Sequence, residues 1–113
     1  MPDQTALTID VRRPDPATAR LVLTGELDFK SRRELAETTS DLLAGDADRL
    51  EMDLGGLDFF DSTGLGALMS LYGRAKERGM TVTFVAVTPH MRSILRRTGL
   101  EKVLNLPPAA DPV

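Results

Sequence analysis

Cysteine is absent from the 113 residues, histidine occurs once, and no apolar run approaches the length of a membrane span. Without cysteine there are no disulfides and no thiolate metal ligands, while the redox compartment stays open. Crossing a bilayer as a helix takes about 20 consecutive apolar residues, so no membrane insertion is expected. The stretch from Met1 to Thr5 has no basic region followed by an apolar one, so no secretory signal is read and a cytoplasmic location is expected. Positive charge is not in excess either: 14 Lys and Arg against 17 Asp and Glu leave a net charge of -3. No overall positive field collects phosphates, which argues against direct nucleic-acid binding. Arg92, Arg96 and Arg97 cluster, but three cations on one short helix read as a solvated face. What remains is an ordinary globular composition, 42% hydrophobic and 27% charged, in a chain sized for one domain over residues 1–113.

Strand and helix periods alternate along that domain. Leu7, Ile9 and Val11 alternate with polar neighbours, as in a half-buried edge strand. The proline-rich stretch from Arg13 to Thr18 has turn composition, so a hairpin into the next strand is expected. Leu21, Val22 and Leu23 are continuously apolar, which suits a strand covered on both faces. From Ser31 to Ala44, Leu35, Thr39, Leu42 and Leu43 share one helical face, and Gly45 is a stop signal. A strand over residues 50–54, a helix over 63–78 and a β-branched strand over 81–87 follow, the last reading as central. Pro89 suits the first turn of a third helix closed by Gly99, and residues 102–106 read as a short last strand. The expected fold is therefore α/β: a mixed sheet of about five strands with an N-terminal hairpin, right-handed parallel crossovers and helices packed on it. Three prolines between Pro107 and Val113 predict a disordered tail over 107–113.

The most informative segment is Asp61-Ser62-Thr63-Gly64-Leu65-Gly66, placed between a strand pattern and a helix pattern. Ser62 falls at or beside a helix N-terminus, where amides lack intrahelical partners and the dipole favours an anion. Gly64 and Gly66 carry no side chain, so another protein can approach the backbone closely. The competing local reading makes Ser62 an N-cap and nothing more.

Enzyme readings fail on the same residues, and the chain is expected not to be catalytic. A nucleophilic Ser62 needs a base, and the only histidine, His90, sits beside a different helix start. Asp-Ser-Thr-Gly is not the nucleophile elbow, and no phosphate-binding Gly-x-x-x-x-Gly-Lys is present. Asp53, Asp58 and Asp61 do not suggest a metal, because their spacing crosses a strand end and a turn. No cofactor or metal is expected.

The run from Leu50 to Gly66 resembles the signature of STAS domains, in particular those of bacterial anti-sigma factor antagonists. A second match, Leu23-Thr-Gly-Glu-Leu-Asp28, looks like the family's passage from its second strand into its first helix. The resemblance implies a switch protein whose serine, Ser62 here, is phosphorylated by an anti-sigma factor that is also a kinase and restored by a phosphatase. The unmodified form then binds the anti-sigma factor and frees the sigma factor, a matter of transcription regulation by partner switching. It also implies a partner surface at Asp28, Asp61, Ser62, Thr63, Gly64, Leu65 and Gly66, with Phe29 and Lys30 nearby. On local grounds Asp28 serves equally as a cap for the helix beginning near Ser31. STAS folds also serve as accessory subunits of membrane lipid-transport complexes and as signalling scaffolds, which is the alternative function. Family members commonly have a further C-terminal helix that this sequence does not show, leaving open what covers the back of the sheet.

Overall fold

In the computed structural model, residues 6–104 and 106 are described. The elements are β1 (Thr8–Asp15), β2 (Thr18–Leu27), α1 (Arg32–Leu43), β3 (Arg49–Phe60), α2 (Ser62–Glu77), β4 (Thr81–Val85), α3 (Pro89–Arg97) and α4 (Leu100–Val103). They form one four-stranded sheet in the order β1-β2-β3-β4. β1 and β2 are the antiparallel hairpin, while β2, β3 and β4 are parallel. The mixed α/β architecture, the hairpin and the three main helices are those read from the sequence. Among the described residues no helix is long and apolar enough to cross a membrane.

Three expectations are corrected. Among the described residues the sheet has four strands, and the fifth, expected over 102–106, is not formed: residues 100–103 are helical. Gly99 takes a left-handed turn (φ 78°), after which Leu100 and the fully buried Leu104 lie one helical turn apart. Glu101 on the same turn accepts from Arg92 at 3.1 Å and lies 3.5 Å from Arg96, so α4 is tied to α3 instead of pairing with β4. Arg92 is thereby drawn off the solvated face read for this cluster, while Arg96 and Arg97 stay exposed on it. The Arg92 hydrogen bond, opposed by partial desolvation and helped by Arg96, holds the Glu101 carboxyl below its usual range. The second correction follows: β4 is an edge strand, not a central one, with Phe84 buried while Thr81 and Thr83 face solvent.

The third concerns coverage. Leu21, Leu23, Leu50, Met52, Leu54 and Phe84 all point to one face and are essentially inaccessible. The register puts Asp10, Val22 and Asp53 on the opposite face, with Arg20 beside Glu51. Apart from the buried Thr18, the residues on that face are half-exposed or exposed, and its charges pair as Arg12–Asp10 and Arg20–Glu51. Val22 is therefore not covered on both sides, and among the described residues the back of the sheet is polar and open. A one-sided sheet needs no further helix there.

β3 is longer than its apolar core predicts. Two register shifts against β2 each add one residue to β3, around Gly55 and around Asp58. The first bulge is held by Asp53 Oδ1, which accepts the Gly55 amide at 3.0 Å. A strand interrupted by two glycines reads as ended; here the bulges carry it on, so that Phe60 pairs with Leu27. Asp58, expected in a turn, lies instead within the strand at the second bulge.

α2 is consequently delivered against the end of β2. Gly64 is buried, and a Cβ added to it would overlap the Leu27 carbonyl. Gly66, two residues on, has open space around the same position. Gly64→Ala forces backbone apart and is expected to cost about 3 kcal/mol, lowering the melting temperature by roughly 10 °C. Gly66→Ala gains helix propensity of about 1 kcal/mol and should raise it by a few degrees. Calorimetric melting of both variants checks the contrast; equal melting temperatures would remove Gly64 from the frame of the fold.

Candidate functional site

The first turn of α2 begins from Asp61, whose extended backbone (φ -104°, ψ -176°) is the N-cap. Its Oδ1 accepts the Gly64 amide at 2.7 Å, and its carbonyl accepts the Leu65 amide at 2.9 Å. Asp61, not Ser62, is therefore the cap, which settles the local question left by the sequence. Ser62 occupies the first helical position, exposed, and among the described residues its hydroxyl has no hydrogen-bond partner. Asp61 takes only one of the orphan amides of the first turn, so the positive end of the helix dipole remains beside Ser62.

A second segment lies alongside. The Asp61 amide donates to the Leu27 carbonyl at 3.3 Å, which joins the end of β3 to the end of β2. The next residue, Asp28, folds into a local turn: its Oδ1 accepts from the Lys30 amide, the Ser31 amide and the Ser31 hydroxyl at 3.0, 3.0 and 3.1 Å. The Ser31 hydroxyl also accepts the Asp28 amide and contacts the Glu26 carbonyl at 2.8 Å. Asp28 is thus the organiser of the passage into α1, and its carboxylate is occupied within the chain. Two large apolar side chains stand out at this end of the sheet: Phe29, 63% exposed, and Phe59, 48% exposed. The Arg32 guanidinium lies 4.4 Å from the Phe29 ring centre.

Of the residues read as a partner surface, Asp61, Ser62, Thr63 and Gly66 are accessible on the first turns of α2, with Asp28 beside them. Gly64 is buried against Leu27, so its missing side chain serves packing inside the chain; Leu65 packs partly against the core. Phe59 was not singled out by the sequence. A Phe-Phe pair at a strand end carries the signal, since alternation sends one ring out and one in. Among the described residues no three acidic or histidine side chains converge, and Asp53, Asp58 and Asp61 stay apart.

The profile of the family described as "Mlab, STAS domain" matches residues 8–107, and the chain belongs to the STAS domain family. Its fold is similar to that of an anti-sigma factor antagonist from Mycobacterium paratuberculosis, at 27% identity and a TM-score of 0.77, over 98% of this chain and 93% of that one. It is also similar to the Bacillus cell fate determinant SpoIIAA in its phosphorylated form, at 19% identity and a TM-score of 0.70, over 92% and 93% of the two chains. A sulfate transporter family protein from Wolinella succinogenes shares the fold at 18% identity and a TM-score of 0.71, over 80% and 73%.

Replacing Asp28 by alanine leaves the Lys30 and Ser31 amides without their acceptor. The expected cost is about 1–2 kcal/mol, or several degrees of melting temperature. A thermal scan of Asp28→Ala checks this; an unchanged melting temperature would mean that the turn is held by the backbone alone.

Proposed function

We propose that this protein is an anti-sigma factor antagonist whose unphosphorylated form binds an anti-sigma factor with serine-kinase activity, releasing the sigma factor. Phosphorylation of Ser62 switches it off, and a phosphatase restores it. The observation that carries the reading is the placement of Ser62: exposed, first in α2 behind the Asp61 cap, its hydroxyl without a hydrogen-bond partner among the described residues. The similarity to antagonists of the same architecture supports it.

The mechanism follows from charge. In the unmodified protein the first turn of α2 presents small side chains, with the exposed Phe29 at the same end of the sheet as an apolar anchor. A phosphate adds about -1.5 to -2 charges beside the Asp61 carboxylate. In solvent the helix dipole offsets part of that repulsion. Inside a packed interface the phosphate loses its hydration and meets Asp61 at close range, so the complex comes apart without any refolding of the antagonist. No group in the chain needs to act as a catalyst; the chemistry belongs to the kinase and the phosphatase. Asp28 contributes by fixing the loop that carries Phe29 and Lys30.

A second reading, a STAS subunit of a membrane transport assembly such as a lipid-transport complex, is favoured by the fold shared with the sulfate transporter family protein. Partners recovered from the native cell separate the two: a kinase-like anti-sigma factor for the first, a permease or its ATPase for the second.

Incubation with the recovered kinase and ATP, followed by mass-spectrometric site mapping, should place the phosphate on Ser62 and not on Thr63. Ser62→Ala should keep binding the anti-sigma factor and remain active permanently, while Ser62→Asp folds but binds at least tenfold more weakly. Phosphate confined to Thr63, or equal affinity of the two variants in calorimetry, would contradict the switch.

A further inference from the structure

α1 and α2 lie side by side, and the channel between them opens into two recesses of about 280 and 340 Å³. Arg32, Arg33 and Arg74 line the first, and Arg74 and Arg78 line the second. Among the described residues Glu77 is the single carboxylate in either lining, in a chain whose net charge is -3. The positive charge is therefore concentrated against the sign of the whole molecule. None of the four arginines is ion-paired among the described residues. Arg32 stacks on Phe29, Arg74 donates to the Ser40 hydroxyl at 3.1 Å, and Arg78 donates to the Leu43 carbonyl. Glu34, Glu37 and Asp41 of α1 line neither recess.

The walls fit an extended occupant. Ala36, Ala67 and Ser70 are small, so a partner backbone can come close without displacing anything. At about 1.5 Å per residue, the stretch from Thr63 in the first turn of α2 to Arg78 at its C-cap is about 22 Å long, enough for four turns of a docked helix. Arginines stand at both ends of that length, and guanidinium groups are the donors best matched to carboxylates. We propose that the α1–α2 channel binds an acidic segment of a protein partner, carboxylates on the four arginines and backbone against the small-residue walls. Thr63, which lines the channel, adjoins Ser62. One partner can therefore cover the serine and the channel together, and a phosphate on Ser62 places an anion at the mouth that repels the incoming segment. The identity of that partner rests on the antagonist reading; the channel's preference for carboxylates does not.

The probe is a labelled helical peptide of about 16 residues with glutamate at every fourth position, compared with the same peptide carrying lysine. Fluorescence anisotropy should show binding of the acidic peptide only, weakening as salt rises from about 50 to about 300 mM. The double variant Arg33→Glu/Arg74→Glu, verified as folded by its melting curve, should lose about tenfold or more in affinity. Arg49→Glu, outside the channel, should not. Amide shift changes should fall on α1 and α2. No binding of the acidic peptide, equal binding by the double variant, or shifts confined to the open sheet face would overturn the proposal. A chain that takes the peptide but is never phosphorylated refutes the switch and supports the channel. One that is phosphorylated on Ser62 but ignores the peptide refutes the channel alone.

Discussion

Everything at the candidate site depends on one close approach, that of the α2 backbone at Gly64 to the carbonyl of Leu27. Any side chain at Gly64 would push the helix off the end of β2 and with it Asp61, whose amide bonds the same carbonyl. The Asp61 carboxylate then closes the first turn on the Gly64 amide, and Ser62 is left facing outward. The Leu27 carbonyl thus ties the helix start to the sheet while the cap leaves the serine free. Under the proposed switch, a phosphate on a serine held on so firm a base would change charge without changing shape.

The sheet supplies that base from one side only. Its apolar face carries the core under α1, α2 and α3, and its other face is polar, with Arg20 and Glu51 paired across β2 and β3. Such partly exposed pairs stabilise little, so they make the surface soluble more than they hold the strands. Because one face suffices for the core, the ends of β2 and β3 are free to carry surface features. Phe29, Phe59 and the first turn of α2 gather there, at the carboxyl ends of parallel strands, the edge where α/β sheets generally place their binding loops.

Much of this fold is legible in the sequence, and the features that are not share a physical cause. The period of α1 exposed its buried face residue by residue, because Leu35, Thr39, Leu42 and Leu43 repeat at helical spacing. Pro89 and Gly99 mark α3 through chemistry that acts locally, and the structure adds Thr88 as its N-cap. Bulges do not act locally: nothing in Gly55-Gly56 says that β3 resumes, since the decision lies in its pairing with β2. The edge position of β4 was hidden for the same reason, as β-branched residues suit edge and centre alike. α4 is not legible in the sequence because its one turn is stabilised by Arg92 and Arg96 on another helix. At the site, residue types disclosed a serine at a helix start but not which residue capped it. The roles of Gly64 and Asp28 appear only once β2 is seen beside α2. The expected tail over 107–113 lies outside the described residues.

The proposed switch requires that a phosphate on Ser62 alters charge on a preformed surface and leaves the fold alone. Amide spectra and hydrogen exchange of the unmodified and Ser62-phosphorylated protein test it directly. The expected result is shift changes limited to residues 27–31 and 59–66, with undiminished protection at Leu21, Leu50, Met52 and Leu71. Loss of protection across α2, or shifts spreading through the sheet to β1 and β4, would show that phosphorylation remodels the fold and would contradict the claim.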